Sequence, residues 1–448
     1  MKKSKPQSEG ILIFMLVIIL LSFFTNFSPA LAGNIAGGAF NHWPDTGQTK
    51  CYNNFEEIPC PGPESWFYGQ DAQYQGPQRS YTKLGYAGVE LPDSATQDDG
   101  WIMTRDNVTG LIWEIKTDDG SIHDKDNRYT WCDQNIETNG GDQGLCGEGT
   151  DTEDFIAALN NEQFGGFSDW RLPTIKELST IVYTGVWPAP LVDKAFFPNM
   201  VMFGMYLSAT TNLESPASVW MESFYTGEVK SNWKGANGCI IAVRSVTPIH
   251  TSSFVDNHDG TITDTNTGLM WQKCSMGQVY NSDTNACEGP VSTYHWDQAF
   301  AEAENLELAG YSDWRLPNRN ELQSIVDYSL SNPAINGTYF GMGTSLVYWT
   351  SSSSPAPGYQ AYNIFFGNGL VSQSRKDYRY EYAIRAVRFS QIEVLGDSDY
   401  DSDVDGKDLS GLASALSTGN YDPAFDLNHD DQLNELDVEI FAENFGIN

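Results

Sequence analysis

An internal duplication constrains this 448-residue chain more than any other feature of its sequence. The segment SDWRLPTIKELSTIV begins at Ser168 and SDWRLPNRNELQSIV begins at Ser312, an offset of 144 residues with ten of fifteen positions identical. The same offset relates AVR at 242–244 to AVR at 386–388, and a TGLxW segment precedes each copy. A period this long indicates two whole folding units, since a solenoid has shorter and more numerous repeats.

The duplication and the composition around it divide the chain into five parts. These are a signal peptide (1–32), an irregular leader (33–97), a first unit (98–247), a second unit (254–390) and an acidic tail (391–448). We expect the leader to pack on the first unit. A chain of this length is too long for one hydrophobic core, which agrees with several units.

The N-terminus has the features of a cleaved secretory signal. Three lysines precede an apolar run at 11–24, and Ala30-Leu31-Ala32 supplies the small residues that a signal peptidase accepts. A retained membrane anchor is the alternative, but it needs about 18 or more apolar residues. We therefore expect a protein without a transmembrane anchor after signal cleavage, either secreted or at the cell surface, with the periplasm as an alternative.

Export permits disulfide bonds, and six of the seven cysteines fall in close pairs. The predicted disulfides join Cys51 to Cys60, Cys132 to Cys146, and Cys274 to Cys287. Each would close a short loop rich in Gly, Asn and Asp, where little core is present to hold the chain. Cys239 is left over in the apolar run CIIAV, which indicates a buried free thiol.

The charge balance excludes polyanionic partners. The chain has 59 acidic and 25 basic residues, a formal net charge of −34. A field of that sign repels nucleic acid, anionic lipid and sulfated polysaccharide, and it attracts cations.

Each unit is predicted to be of the α+β class. In the second unit, Asp259-Gly260 before an alternating TIT is a hairpin signal, and TGLMW is the next strand. Apolar residues at helical spacing predict a helix over 296–308, and the last third of each unit is rich in strand formers.

The repeated SDWRLP motif is predicted to be a structural corner and not an active site. Thr174 with Glu177, and Asn318 with Glu321, have the spacing of capping boxes at the start of a helix. The proline before each N-cap residue keeps the chain extended up to that point. We expect the arginine of each motif to form a structural ion pair with a nearby carboxylate.

The ordered elements TGLxW, SDWRLPxxxEL, YWTSSS and AVR resemble the Lcl C-terminal domain family, named for a bacterial collagen-like adhesin. The resemblance covers both units and implies two tandem C-type-lectin-like domains with adhesion or carbohydrate binding as the function. The RLPTxxE segment is also similar to the formylglycine-generating enzyme, which implies an enzyme on that fold as a minor alternative.

The acidic tail has the spacing of two calcium loops. Oxygen side chains fall at alternate positions of two twelve-residue loops that are 29 residues apart, and calcium takes six to eight such oxygens. The predicted ligands are Asp397, Asp399, Asp401, Asp403, Asp405 and Asp408 in the first loop, and Asp426, Asn428, Asp430, Gln432, Asn434 and Asp437 in the second. A helical apolar pattern follows each loop.

The tail pattern predicts a small α-helical, EF-hand-like pair that binds calcium, whereas an unstructured acidic tail is the alternative. Position 12 is Asp in both loops, and no helix pattern leads into the first one. These features resemble a type I dockerin module, which implies a cohesin-like receptor as a partner.

Three functions remain open from the sequence. The first is an exported binding or adhesion protein whose ligand is a glycan or a cell-surface protein. The second is a structural part of a surface assembly, docked through the tail to a cohesin-like receptor. The third is an enzyme, but the chain has no HExxH or GxSxG motif, so we expect no catalytic activity.

Overall fold

The computed structural model describes most of the chain from residue 43 onward. The described residues are 43–63, 65–74, 76–147, 149–245, 254–341, 346–356, 358–390, 404, 406–418, 425, 427 and 433–444. The chain divides into compact units, of which Ala39–Phe389 holds the leader and both repeats, and Ser390–Asn448 belongs to the other. The predicted signal peptide lies outside the described residues.

The unit Ala39–Phe389 is mostly β-structure with a few short helices, which is compatible with the α+β class. Its strands are β1 (Cys51–Tyr52), β2 (Glu57–Ile58), β3 (Tyr81–Leu84), β4 (Glu90–Leu91), β5 (Met103–Asp106), β6 (Ile112–Glu114), β7 (Met205–Thr211), β8 (Ser218–Ser223), β9 (Glu228–Trp233), β10 (Val243–Arg244), β11 (Phe254–Asp256), β12 (Thr261–Asp264), β13 (Leu269–Gln272), β14 (Val279–Asn281), β15 (Ala286–Glu288), β16 (Val347–Ser353), β17 (Gln360–Phe365), β18 (Leu370–Arg375) and β19 (Val387–Phe389). Its α-helices are α1 (Thr152–Asn161), α2 (Ile175–Thr180), α3 (Trp296–Glu304) and α4 (Arg319–Ser324).

Each repeat has a small antiparallel sheet of its own. The first repeat, extended by leader strands β3 and β4, has the five-stranded sheet β10-β6-β5-β3-β4, and the second forms the four-stranded sheet β11-β12-β13-β19. The hairpin predicted at Asp259-Gly260 is confirmed, because Phe254 of β11 pairs with Asp264 of β12. In both repeats the AVR segment returns to pair with the TGLxW strand.

A six-stranded sheet crosses from one repeat to the other in the order β16-β17-β18-β9-β8-β7. The two halves meet where Val229 of β9 pairs antiparallel with Val371 of β18. The two valines occupy the same position in their repeats, two residues after the turn glycines Gly227 and Gly369. A residue that pairs with its own copy lies on an approximate two-fold axis, as at the interface of a symmetric dimer.

One hydrophobic core continues across this junction. Its buried residues come from both repeats, and the ring of Trp220 meets that of Tyr328 edge to face at 5.4 Å. Helices α2 and α4 also contact each other, and the ammonium of Lys176 donates to the Ser324 carbonyl at 2.8 Å. The repeats therefore share one core, although each also has a smaller hydrophobic cluster of its own.

A buried ion pair crosses the same junction. Arg319 and Glu222 are both fully buried, with 3.3 Å between guanidinium and carboxylate, and Arg319 also donates to the Gly227 carbonyl. Ser179 Oγ donates to the same carboxylate at 2.7 Å. Burial raises the pKa of Glu222 to about 7, against the opposing effect of Arg319. Removing one partner of such a pair leaves the other charge buried without compensation.

The repeated corner is structural, as predicted. Arg171 holds Glu177 with two bonds of 2.7 and 2.6 Å, and Arg315 holds Glu321 with two bonds of 2.8 and 2.6 Å. In both copies the glutamate also accepts the backbone N–H of the N-cap residue, which completes the predicted capping box. Each glutamate thus fixes the extended segment to the helix start, and neither is free for chemistry.

The leader contacts both repeats, whereas its sequence predicted contact with the first. Strands β3 and β4 extend the first repeat's sheet, and Arg79 donates to the backbone carbonyls of Thr180 and Val182 at the end of α2. Residues upstream lie on the second repeat, where the Tyr74 hydroxyl donates to Glu304 at 2.9 Å. The leader is therefore an ordered part of the unit with few regular elements.

Among the described residues of the tail are two helices, α5 (Gly406–Thr418) and α6 (Glu435–Asn444), where the sequence predicted helices after each loop. Among its described residues an apolar cluster includes Val404, Leu412 and Phe441, with Leu433 packed against it. Val404 and Leu433 hold the same position in the two loop sequences. No helix in the described part of the chain is long and apolar enough to cross a membrane.

Candidate functional site

Three aromatic side chains form an exposed cluster on the first repeat. Trp187 is 49% exposed, Phe203 is 77% exposed and Tyr225 is 38% exposed. The Tyr225 ring lies 4.8 Å from Phe203 and 6.3 Å from Trp187, with interplanar angles near 50° in both pairs. We call these three residues the aromatic surface. Adjoining exposed aromatic rings of this kind mark interaction sites, because they leave a large apolar area in water.

Buried neighbours position the aromatic surface. Tyr225 follows the buried Phe224 in the turn between β8 and β9, where the Gly227 N–H donates to the Ser223 carbonyl at 2.6 Å. The Phe224 carbonyl accepts the N–H of Leu191 at 2.7 Å, which ties this turn to the loop that contains Trp187. The surface is thus attached to the core at two points.

The second repeat shows that the fold does not require these aromatic residues. Its Ala334 N–H donates to the Phe366 carbonyl at 2.7 Å, so Phe366 matches Phe224 of the first repeat. The next residue is Gly367, where the first repeat has Tyr225. The loop before Ala334 has no aromatic residue between Tyr328 and Tyr339. At these matched sequence positions the scaffold therefore folds without the aromatic residues.

A buried lysine lies over a buried tryptophan in each repeat. Lys234 Nζ lies 4.0 Å from the Trp131 ring centre, and Lys376 Nζ lies 3.9 Å from that of Trp296. The two indole N–H groups donate to the backbone at matching positions of β7 and β16, both at 2.9 Å. Burial lowers the pKa of the Lys376 ammonium well below its ordinary value. The pair is a repeated part of the scaffold, but the residues above the lysine differ between the repeats.

A buried carboxyl group lies where the leader meets the second repeat. Asp71 Oδ2 accepts from the hydroxyls of Thr46 at 2.8 Å and Ser352 at 2.5 Å. Burial raises the pKa of Asp71 to about 7, and the neighbouring Asp45 and Glu321 carboxylates add to the increase. Asp71 therefore changes its charge near neutral pH, at a contact that holds the leader in place.

An acidic cluster in the first repeat is a second arrangement of possible metal ligands. Asp118, Asp124 and Asp126 bring one carboxylate oxygen each to within 4.8 Å of one another. Asp124 already accepts the backbone N–H groups of Gly120 and Asp126, and Lys125 pairs with the other two aspartates. These contacts account for the cluster as a loop-stabilising network.

All three predicted disulfides are present. The S–S distances are 1.99 Å for Cys51–Cys60, 2.04 Å for Cys132–Cys146 and 1.98 Å for Cys274–Cys287. Cys239 is a buried free thiol, as expected, and burial raises its pKa.

Most of the predicted calcium ligands lie outside the described residues. These are Asp397, Asp399, Asp401, Asp403, Asp405, Asp426, Asn428, Asp430 and Gln432. Asp408 and Asp437, at position 12 of the two loops, are both buried. Asp437 accepts the backbone N–H groups of Leu427 and Asn434 at 2.9 and 2.8 Å. The one second-loop carboxylate that the structure describes is therefore turned towards the loop backbone.

Sequence reasoning missed the aromatic surface. A signal was present, because a comparison of the two repeats finds aromatic residues in the first where the second has glycine or small residues. Core aromatic residues are retained in both copies, such as Trp170 and Trp314, which are buried.

Comparison with known proteins gives one result. The model of a family described as the Lcl C-terminal domain matches residues 102–244 and 260–388, which together make up more than half of the chain. No match was found among curated proteins or solved structures.

We predict that Asp71→Asn reduces the pH dependence of stability. Between the ordinary carboxyl pKa of 3.8 and about 7, folded Asp71 keeps a proton that the unfolded chain has lost, so the free energy of unfolding falls as the pH rises across this range. At pH 8 the variant should exceed the original protein by on the order of 1–3 kcal/mol, and at pH 4 the two should be similar. Urea unfolding at both pH values measures this. Asp93→Asn, at an exposed site, is the control, and an unchanged slope in the Asp71 variant would contradict the assignment.

Proposed function

The chain belongs to the Lcl C-terminal domain family, and on this premise we propose that it is an exported binding and adhesion protein that holds a neutral glycan on its aromatic surface. The observation that carries the proposal is the exposed cluster of Trp187, Phe203 and Tyr225 in one repeat, at positions where the sequence of the other repeat has no aromatic residue. The three disulfides are compatible with an oxidising compartment outside the cytosol.

The shape and chemistry of the aromatic surface favour a sugar. An aromatic face carries partial negative charge, and one face of a pyranose ring presents C–H groups with partial positive charge, so the two stack flat on each other. Neighbouring rings inclined near 50° form a curved surface that follows adjacent sugar units along a chain. Aromatic side chains lose little conformational entropy on binding, so a few of them are enough to hold a ligand.

The charge of the protein favours a neutral ligand. A net charge of −34 repels sulfated and carboxylated glycans at long range. Lys194 lies in the same loop as Trp187, and its ammonium already donates to the Pro188 carbonyl. The proposed ligand is therefore an uncharged oligosaccharide, while a cell-surface protein remains the alternative ligand.

The tail is proposed to bind calcium and to attach the protein to a partner. Support comes from the twelve-residue spacing of oxygen side chains and from the burial of Asp408 and Asp437 at the ends of the two loops. In this proposal the ion neutralises carboxylates that otherwise repel one another, so the helices pack only when calcium is present. The alternative function, a structural component docked to a cohesin-like receptor, uses the same tail.

We predict that the aromatic surface determines glycan affinity. Trp187→Ala should weaken binding of a neutral oligosaccharide by tenfold or more, because truncating a stacked aromatic residue costs over about 1.4 kcal/mol. Phe203→Ala and Tyr225→Ala should each weaken binding as well. A glycan array identifies the ligand, and titration calorimetry with each variant measures the loss.

Trp66→Ala is the matched control, since this leader tryptophan is 72% exposed and does not belong to the cluster. It should bind like the original protein. Absence of glycan binding above background, or an equal loss in the control, would contradict the proposal.

We predict two calcium ions per chain, one in each loop sequence. Asp408→Asn and Asp437→Asn should each remove one ion, and chelation should lower the far-ultraviolet helical signal and the unfolding temperature of the tail. Calorimetric titration of the full chain gives the stoichiometry. Ser410→Ala, an exposed position on α5, should keep both ions, and identical spectra with calcium and with chelator would reject the assignment.

A further inference from the structure

In the first repeat a local loop covers the buried lysine. Lys234 Nζ donates to the carbonyls of Asn139 at 2.8 Å and Asp142 at 2.6 Å. Both residues lie in the loop closed by the Cys132–Cys146 disulfide. The first repeat therefore covers this position with its own insertion.

The second repeat lacks that insertion, because Trp296 is the first residue of α3. Lys376 Nζ donates to Ser353 Oγ at 2.6 Å and to the Gly358 carbonyl at 2.8 Å, and it reaches the carbonyl of Asn53 at 3.4 Å. Asn53 belongs to the leader, in the loop closed by Cys51–Cys60. A distant segment of the chain thus takes the place of the local loop.

Gln48 of the leader contacts the second repeat as a neighbouring strand would. Its side-chain amide donates to the Ser353 carbonyl at 2.8 Å and accepts the Ser353 N–H at 3.0 Å. Ser353 ends strand β16, so one carboxamide satisfies both backbone groups at this edge. A second carboxamide follows six residues later, where Asn54 donates to the Asp297 carboxylate at 3.2 Å.

We propose that the second repeat carries a docking surface for an extended, amide-bearing peptide, and that leader residues 43–54 are its occupant within the same chain. The surface consists of the Ser353 edge, the Lys376 ammonium and the Asp297 carboxylate. It recognises backbone carbonyls and uncharged carboxamides, as a strand-addition site does. The occupant is this leader segment, whose Gln48 and Asn54 carboxamides make the contacts.

The contact has the character of an interface and not of a core. Asn54 Oδ1, Asp297 Oδ1 and Asp71 Oδ1 are buried and accept no hydrogen bond from the described residues. Buried acceptors are nearly always paired inside a fold. Three unpaired acceptors along one contact therefore lower the cost of separating the leader from the second repeat, and make exchange with another peptide feasible.

Other contacts also hold leader residues 43–54 in place, and the probe peptide must be long enough to include them. Thr46 bonds to Asp71 in the second half of the leader, and the Thr46 carbonyl accepts the N–H of Thr184 in the first repeat. The Pro44 carbonyl accepts from the Asn320 side chain at 2.8 Å. The probe peptide therefore spans 43–62 and keeps the Cys51–Cys60 disulfide.

The test cuts the full chain and measures exchange. A protease site inserted at Gly62, which is exposed and has open space around it, separates the leader segment from the rest without removing it. A fluorescent 43–62 peptide with the disulfide formed is then added in excess. We expect saturable, reversible replacement of the resident fragment, measured by fluorescence anisotropy.

Peptides with single or double substitutions distinguish the proposed hydrogen bonds from non-specific binding of the peptide. A peptide with Gln48→Ala and Asn54→Ala should bind more than about tenfold more weakly, since it loses three hydrogen bonds. A Lys50→Ala peptide should bind normally, because Lys50 is exposed and pairs with the exposed Glu57 of the same peptide. No binding of the original peptide, or equal weakening by all substitutions, would overturn the proposal.

A second measurement uses the uncut chain, so that loss of folding after cutting does not decide the result. The Gln48→Ala, Asn54→Ala double variant should show faster amide exchange at Ser353 and along 43–54, with unchanged exchange in β8. It should also bind the labelled original peptide, which the unaltered chain excludes. Unchanged exchange rates together with no peptide binding would equally overturn the proposal.

Discussion

The pairing of β9 with β18 is the contact on which the rest of the structure depends. A three-stranded sheet has two open edges, and an open edge exposes unpaired N–H and C=O groups. Because Val229 pairs with Val371, one contact closes an edge of each repeat and places α2 beside α4. Arg319 and Glu222 are buried at this junction, where each charge has lost its contact with water. The ion pair that replaces this hydration needs one residue from each repeat.

The parts of the fold that the sequence predicts are those formed within a few residues. The corner at Arg171 and Arg315, its capping boxes, the hairpin after Phe254 and the three disulfides all join positions close along the chain. Short loops cost little entropy to close, so their residue types identify them. The sequence also shows that there are two copies, because the motifs are repeated.

The parts that the sequence could not predict join distant positions. Gln48 contacts Ser353 across 305 residues, and no local pattern records that pairing. The junction between the repeats is formed by apolar residues. Their spacing in the sequence is the same whether each repeat has its own core or the two repeats share one, so it does not distinguish these arrangements. The aromatic surface has no spacing motif, because it joins two loops and a turn. For the tail, the twelve-residue pattern predicts ligands that lie mostly outside the described residues.

The differences between the repeats locate the proposed functions. Both copies keep the corner, the buried tryptophans and the lysine above an indole, which the scaffold requires. The first copy adds an aromatic surface and covers its lysine with a local loop, whereas the second covers its lysine with the leader. Binding in such a molecule resides in surfaces attached to a common scaffold.

The claim that the two repeats form one cooperative scaffold is tested most directly by amide hydrogen exchange in an Arg319→Ala variant, read by mass spectrometry. The account predicts that β9 and β18 lose protection together and to a similar extent, because the variant leaves Glu222 buried without its partner at their junction, at a cost of about 3–5 kcal/mol. Arg375→Ala, which removes a partly exposed pair with Asp377 away from the junction, should leave both strands protected. Loss of protection confined to the second repeat, with β9 unchanged, would contradict the account.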